Sequence, residues 1–186
     1  GTTAVGYCSG TSLPDQAVKW DTATGSATPL AISSGNGRAY GIDDLAVVIV
    51  GTSGSSTADN SPARWLTSVG PTLLTPLVSG NSSNARGISG NGLIAVGDGD
   101  DADSYTVGIY WDLNSGYVQP VTIFSGAYQF STAYAASTDG SVIVGTGSDP
   151  GAYEGALRWT SSGVIELPHY GTTTYSRAYG ISDDGA

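Results

Sequence analysis

Four tryptophans, Trp20, Trp65, Trp111 and Trp159, stand 45, 46 and 48 residues apart in a chain of 186 residues. Each ends the same short pattern of a small residue, an apolar one, a long polar or aromatic one, then Trp: Ala17-Val18-Lys19-Trp20, Pro62-Ala63-Arg64-Trp65, Gly108-Ile109-Tyr110-Trp111 and Ala156-Leu157-Arg158-Trp159. Self-similarity at this period restricts the chain to repeat architectures, in which one supersecondary unit is stacked on copies of itself.

Two further anchors move with the tryptophan. Val-Gly recurs at Val5-Gly6, Val50-Gly51, Val96-Gly97 and Val144-Gly145. The other anchor is Arg38-Ala39-Tyr40-Gly41-Ile42, Asn84-Ala85-Arg86-Gly87-Ile88, Thr132-Ala133-Tyr134-Ala135-Ala136 and Arg177-Ala178-Tyr179-Gly180-Ile181. A turn follows each time, at Asp43-Asp44, Gly90-Asn91-Gly92, Asp139-Gly140 and Asp183-Asp184-Gly185. Asn-Gly and Asp-Gly between apolar runs favour tight hairpins, because glycine accepts the positive φ such turns impose.

The runs between turns are short and rich in Val, Ile, Thr and Tyr, which is strand composition, and no helix is expected. Each unit holds four strand candidates. In the last they are Tyr175 to Ser182, Ser141 to Thr146, Glu154 to Thr160 and Gly163 to Leu167. Units of 40 to 50 residues with four strands are the mark of propeller blades. The expected fold is therefore an all-β, four-bladed β-propeller with four antiparallel strands per blade. It forms one domain over residues 1–186, with repeats of about 1–44, 45–91, 92–139 and 140–186.

Residues Arg177 to Gly185 read as the first strand and turn of a unit, and Thr2 to Tyr7 as the second strand of one. Pairing the two would seal the ring in a three-plus-one closure and leave no exposed edge. The same cut also arises from a piece of a longer array, or from a subunit whose last strand completes its neighbour. The tryptophans are expected to fill the wedges between adjacent sheets, in preference to serving as aromatic platforms for sugars.

Composition excludes several function classes. Sixteen acids against six bases give a net charge of −10, so polyphosphate is repelled and no basic stripe compensates; nucleic acid is not an expected partner. No apolar stretch approaches the roughly 20 residues needed to span a bilayer, so no membrane span is expected. The absence of a leader and of an initiating Met points to a processed product. Abundant Ser, Thr and Gly, one Cys and no Met suit loops outside the cell.

The stretch Ile165-Glu166-Leu167-Pro168-His169-Tyr170-Gly171, running on to Ser176-Arg177-Ala178-Tyr179-Gly180-Ile181-Ser182-Asp183-Asp184-Gly185, resembles the HAF repeat of bacterial extracellular proteins. So do Asp139-Gly140-Ser141-Val142-Ile143-Val144-Gly145 and Ala156-Leu157-Arg158-Trp159. The likeness runs through the whole chain and is weakest in the third unit, where Ala135-Ala136 replaces Gly-Ile. It implies a secreted or cell-surface, propeller-like protein and supplies no catalytic residues to carry over.

Candidate chemistry is sparse. Asp98, Asp100, Asp101 and Asp103 form the densest acidic cluster; as hard oxygen ligands they could hold Ca²⁺, but the expected reading is a solvated loop after the second strand of a blade, and no cofactor is expected. An EF-hand loop starting at Asp98 would need a ligand where Ala102 stands, Gly at Asp103 and Glu at Ile109. Asn81-Ser82-Ser83 fits the pattern for N-glycosylation at Asn81, and the stretches Thr52 to Ser61 and Thr172 to Ser176 offer further hydroxyls. A single histidine, His169, and a single cysteine, Cys8, exclude a multi-His metal cage and an intrachain disulfide. Arg38 and Arg177 share a repeat position near the expected axis and could hold a carboxylate, although Asn84 and Thr132 break the pattern.

These readings favour a non-enzymatic extracellular module with a binding or surface-structure role, whose partner is a surface glycan or protein. The alternative is a self-associating subunit of a filament or layer, built by strand complementation. A glycan-processing enzyme ranks last, because Glu154 and Glu166 are the only glutamates and hydrolysis takes two positioned carboxylates.

Overall fold

The computed structural model describes residues 1–54, 61–66, 70–79, 81–120, 130–148 and 153–186. The chain is all-β, with fifteen strands among the described residues. The first sheet holds β1 (Thr3–Cys8), β2 (Gln16–Asp21) and β3 (Ser26–Pro29). The second holds β4 (Asn36–Ile42), β5 (Val48–Gly54), β6 (Pro62–Leu66) and β7 (Pro71–Leu73). The third holds β8 (Ser83–Ile88), β9 (Ile94–Asp100), β10 (Thr106–Asp112) and β11 (Tyr117–Pro120). The fourth holds β12 (Phe130–Ala136), β13 (Ile143–Ser148), β14 (Gly155–Thr160) and β15 (Gly163–Glu166). Every sheet is an antiparallel meander.

Turn chemistry sets the hairpins. In the hairpins β8–β9 and β12–β13, Gly92 and Gly140 adopt φ of 73°, a left-handed conformation that costs glycine nothing. Ala46 holds the same place between β4 and β5 with φ 57°, and pays the Cβ clash that glycine avoids. Short polar side chains lock the loops: Asp43 Oδ1 accepts from the amides of Val47 and Val48, Asn91 Oδ1 from Leu93, and Asp139 Oδ1 from Ser141.

Sheets pack in sequence, first on second, second on third and third on fourth, with the first strand of each lying across the preceding sheet. The core is accordingly three clusters in the wedges between sheets. One is built on Ala17, Ile49 and Trp65, the next on Val50, Ile109 and Trp111, the third on Val96, Leu157 and Trp159. Backbone bonds also run from turn to turn along one rim: Asp44 N to Gly90 O at 3.0 Å, Asn91 N to Thr138 O at 3.0 Å, and Thr138 N to Asp183 O at 2.9 Å.

The three-plus-one closure expected from the repeats is not made. The first sheet has three strands, and the segment expected to complete it, Arg177 to Gly185, forms no ladder with β1. That segment instead lies on the fourth sheet, where the Ala178 amide donates to Gly145 O at 3.2 Å. Packing on the preceding sheet does not bar such a ladder, since β4, β8 and β12 each lie across the preceding sheet and also pair within their own; the final segment makes the first contact without the second. The second, third and fourth sheets also straddle the repeat boundaries drawn at the turns, since each takes its first strand from the end of one repeat and its other three from the next.

Candidate binding face

The first strands β4 and β8 pack side by side, as do β8 and β12, so they are the innermost strands of the stack. Each carries a β-bulge at the same repeat position, between Ala39 and Gly41, Ala85 and Gly87, and Ala133 and Ala135. A bulge leaves one residue outside the ladder and re-aims its side chain. The residues so released are Tyr40, Arg86 and Tyr134, and Tyr179 is their counterpart in the final segment.

These four side chains form a row across the stack. The Arg86 guanidinium carbon stands 6.0 Å from the centroid of the Tyr134 ring, and the Tyr134 and Tyr179 rings are 4.9 Å apart. Tyr40 and Tyr134 both lie within electrostatic reach of Arg86. Such contacts combine quadrupole and cation attraction. Tyr40 and Tyr179 are exposed while Arg86 and Tyr134 are half-buried, so the row offers aromatic surface around a guanidinium.

Cations along the row are paired. Asp98, buried on β9, accepts from Arg86 Nε and from Asn84 Nδ2 at 2.7 Å. Burial works against the Arg86 charge, but the bond and charge of Asp98 overcome it and raise the guanidinium pKa. Arg38 donates to Asp15 at 2.5 Å and lies 4.9 Å from the Tyr7 ring centroid. The Ser9 hydroxyl, and then Arg38, hold the Asp15 carboxyl below the usual range. Arg177 Nη2 reaches Glu154 Oε2 at 2.6 Å and depresses the Glu154 carboxyl, with help from Thr146 Oγ1 at 3.0 Å. Burial raises the Tyr134 phenol despite the nearby cations Arg86 and Arg177.

The acidic cluster does not converge. Asp98 faces Arg86, Asp100 accepts from Thr106 Oγ1 at 2.9 Å, and Asp101 Oδ1 caps its own turn by accepting from the amides of Asp103 and Tyr105. Among the described residues no three acidic, His or Cys side chains are gathered as metal ligands. Asn81 donates its side-chain amide to Asp101 O at 3.0 Å. His169 Nε2 lies 3.0 Å from Glu166 Oε1, and Cys8 is free and exposed. Most of the Thr52 to Ser61 stretch lies outside the described residues.

Trp65, Trp111 and Trp159 are buried in the three wedges, whereas Trp20 is half-buried and belongs to none of them. Two indoles also clamp the connector that enters their sheet: Trp65 Nε1 donates to Ala31 O at 2.5 Å, and Trp111 Nε1 to Thr75 O at 2.7 Å. The bulged row was missed by motif reading. Its signal is a large Tyr or Arg between two small residues, Ala and then Gly or Ala, at the same place of each first strand.

No helix among the described residues is long and apolar enough to cross a membrane. No protein-family model and no curated protein matches the chain. Among solved structures it is similar to a putative TolB from Agrobacterium tumefaciens, at 17% identity and a TM-score of 0.67 over 83% of this chain and 55% of that one. It is also similar to TolB from Acinetobacter baumannii, at 13% identity and a TM-score of 0.67 over 89% of this chain and 40% of that one. At such identities the likeness concerns the fold alone, which is of β-propeller type, and the chain spans about half the length of these structures or less.

Proposed function

We propose that the chain is a non-enzymatic β-propeller module that works outside the cell and takes a protein or surface-glycan partner across the row Tyr40, Arg86, Tyr134 and Tyr179. The observation that carries this reading is the repeated bulge, which sets a Tyr or Arg free at the same place in each of β4, β8 and β12. Flat aromatic rings around an ion-paired guanidinium suit sugar faces or a peptide's carboxylate and aromatic groups. The HAF-like motifs and the Ser, Thr and Gly content support the extracellular setting. Hydrolysis finds little support, because Glu154 is held by Arg177 and Thr146 and Glu166 lies beside His169. The test is titration with a panel of neutral polysaccharides and short peptides, read by NMR at the tyrosine rings. Perturbations centred on Tyr40, Tyr134 and Tyr179 are expected; released sugar products, or perturbations confined to the outer strands, would refute the reading.

A second reading, a self-assembling subunit joined by strand complementation, is favoured by one observation: β1 pairs with β2 alone and keeps its other edge unpaired among the strands.

A further inference from the structure

The second strand of each four-stranded sheet is shaped for the first strand beside it. A Cβ on Gly51, Gly97 or Gly145 would collide with the backbone carbonyl of Arg38, Asn84 or Thr132 on the paired strand. Gly6 on β1 is the same repeat position, yet a Cβ there would meet only the Trp20 ring, at 3.0 and 3.4 Å. β1 thus carries the glycine that admits a first strand, while among the described residues no such strand lies against it.

The segment Leu167 to Gly185 is the complementary piece. It docks on the fourth sheet as the chain from Leu30 into β4 docks on the first. Leu167 N donates to Ala156 O at 2.8 Å, as Leu30 N does to Ala17 O at 2.8 Å. Ser176 N donates to Glu154 O at 3.0 Å, as Gly37 N does to Asp15 O at 2.7 Å. Arg177 pairs with Glu154 as Arg38 pairs with Asp15. Gly41 and Gly87 abut the backbone of the following first strand, at Gly87 and Tyr134, whereas the space beside Gly180 is open to 4 Å.

Trp20 completes the correspondence. Counted from the shared leucine, Ala31 and Thr75, which accept from Trp65 and Trp111, correspond to Pro168. Among the described residues Trp20 makes no such bond, and it is the tryptophan left half-buried.

Resting on the self-assembly reading, we infer that the open edge of β1 is the seat for the segment Leu167 to Gly185 of a second copy of this chain. The register is that of β4 on β5, where Gly37, Arg38, Ala39, Gly41 and Ile42 face Ser53, Thr52, Gly51, Val50 and Ile49. Transposed, Ser176, Arg177, Ala178, Gly180 and Ile181 of one copy face Cys8, Tyr7, Gly6, Val5 and Ala4 of the next, and Pro168 O receives the Trp20 indole N–H. The contact is heterologous, so copies join head to tail, as a ring where the rotation closes and as a fibre where it does not.

Native Cys8 is exposed and serves as the reporter. In the Ser176→Cys variant of the full chain, mild oxidation is expected to give a ladder of disulfide-linked multimers on non-reducing gels, and adding Cys8→Ser should abolish it. A cross-linked monomer would overturn the proposal by showing that each chain closes on itself. Light-scattering evidence of assembly with a ladder from a Ser162→Cys control, but none from Ser176→Cys, would overturn the docking while leaving self-assembly standing. A monomer at every concentration, with no cross-link, would overturn both. Gly6→Val is expected to keep the far-UV spectrum of the monomer and lose assembly; assembly that survives it would refute the seat on β1.

Discussion

Removing one clamp from a wedge tests how the stack is held together. Trp111 is about 1% exposed in a cluster with Val50, Ala85, Ala95, Val107, Ile109 and Leu113, and its N–H holds the Thr75 carbonyl. A buried indole removes roughly 150 to 250 Å² from water, which at about 25 cal/mol per Å² amounts to ~4 to 6 kcal/mol. Measured truncations of this kind cost ~3 to 5 kcal/mol, so Trp111→Ala is expected to destabilise by about 4 kcal/mol. Trp20 is half-buried and among the described residues clamps no connector, so Trp20→Ala should cost about half as much. Trp111→Phe keeps a ring but orphans the Thr75 carbonyl, for ~1 to 3 kcal/mol. The assay is urea unfolding followed by far-UV circular dichroism at concentrations where the chain is monomeric. With m near ~2 kcal/mol per M, Trp111→Ala should lower the midpoint by about 2 M. Equal losses for Trp111→Ala and Trp20→Ala, or a silent Trp111→Phe, would refute the claim that each tryptophan acts through its wedge and connector.

Arg86→Leu leaves the Asp98 carboxylate buried with only Asn84 beside it and should cost ~3 kcal/mol or more in the same assay, while Arg86→Leu with Asp98→Leu should regain most of that loss. Ala46→Gly relieves a left-handed backbone at a place where the other hairpins use glycine, and is expected to raise stability by ~0.5 to 1 kcal/mol. Glu154 and Asp15 titrate below their ordinary values when folded, so their contribution is complete above an unfolded pKa of about 4 and is lost as pH falls through the lower folded values. A melting temperature that holds from pH 7 to 5 and falls below about 4, less steeply in Glu154→Gln, is the expected profile. Since Asp98, Asp100 and Asp101 each bond inside the protein, melting curves in calcium and in a chelator should coincide.

Strands, turns and buried tryptophans were legible because each rests on local chemistry. Asp139-Gly140 favours a hairpin between its flanking strand-like runs, and the alternation around Ile109 and Trp111 reports which face is covered. Tyr40, Arg86 and Tyr134 were harder, because a bulge inserts one residue into a ladder without changing composition, and period-2 reasoning turns the next side chain to the wrong face. Closure was illegible for another reason. Whether β1 meets the segment from Arg177 depends on the angle accumulated between four sheets, and that angle is set by small contacts such as Gly41 on Gly87 and Gly87 on Tyr134.

The turn-to-turn bonds along the rim use main-chain atoms only, and the residues they join are Asp44, Gly90, Asn91, Thr138 and Asp183, whose side chains range from none to a hydroxyl, an amide and a carboxylate. A stitch made of peptide groups is indifferent to spelling. The spacing between neighbouring sheets is therefore insulated from drift at that rim, which leaves those turns open to take on new surface chemistry while the curvature of the stack is preserved.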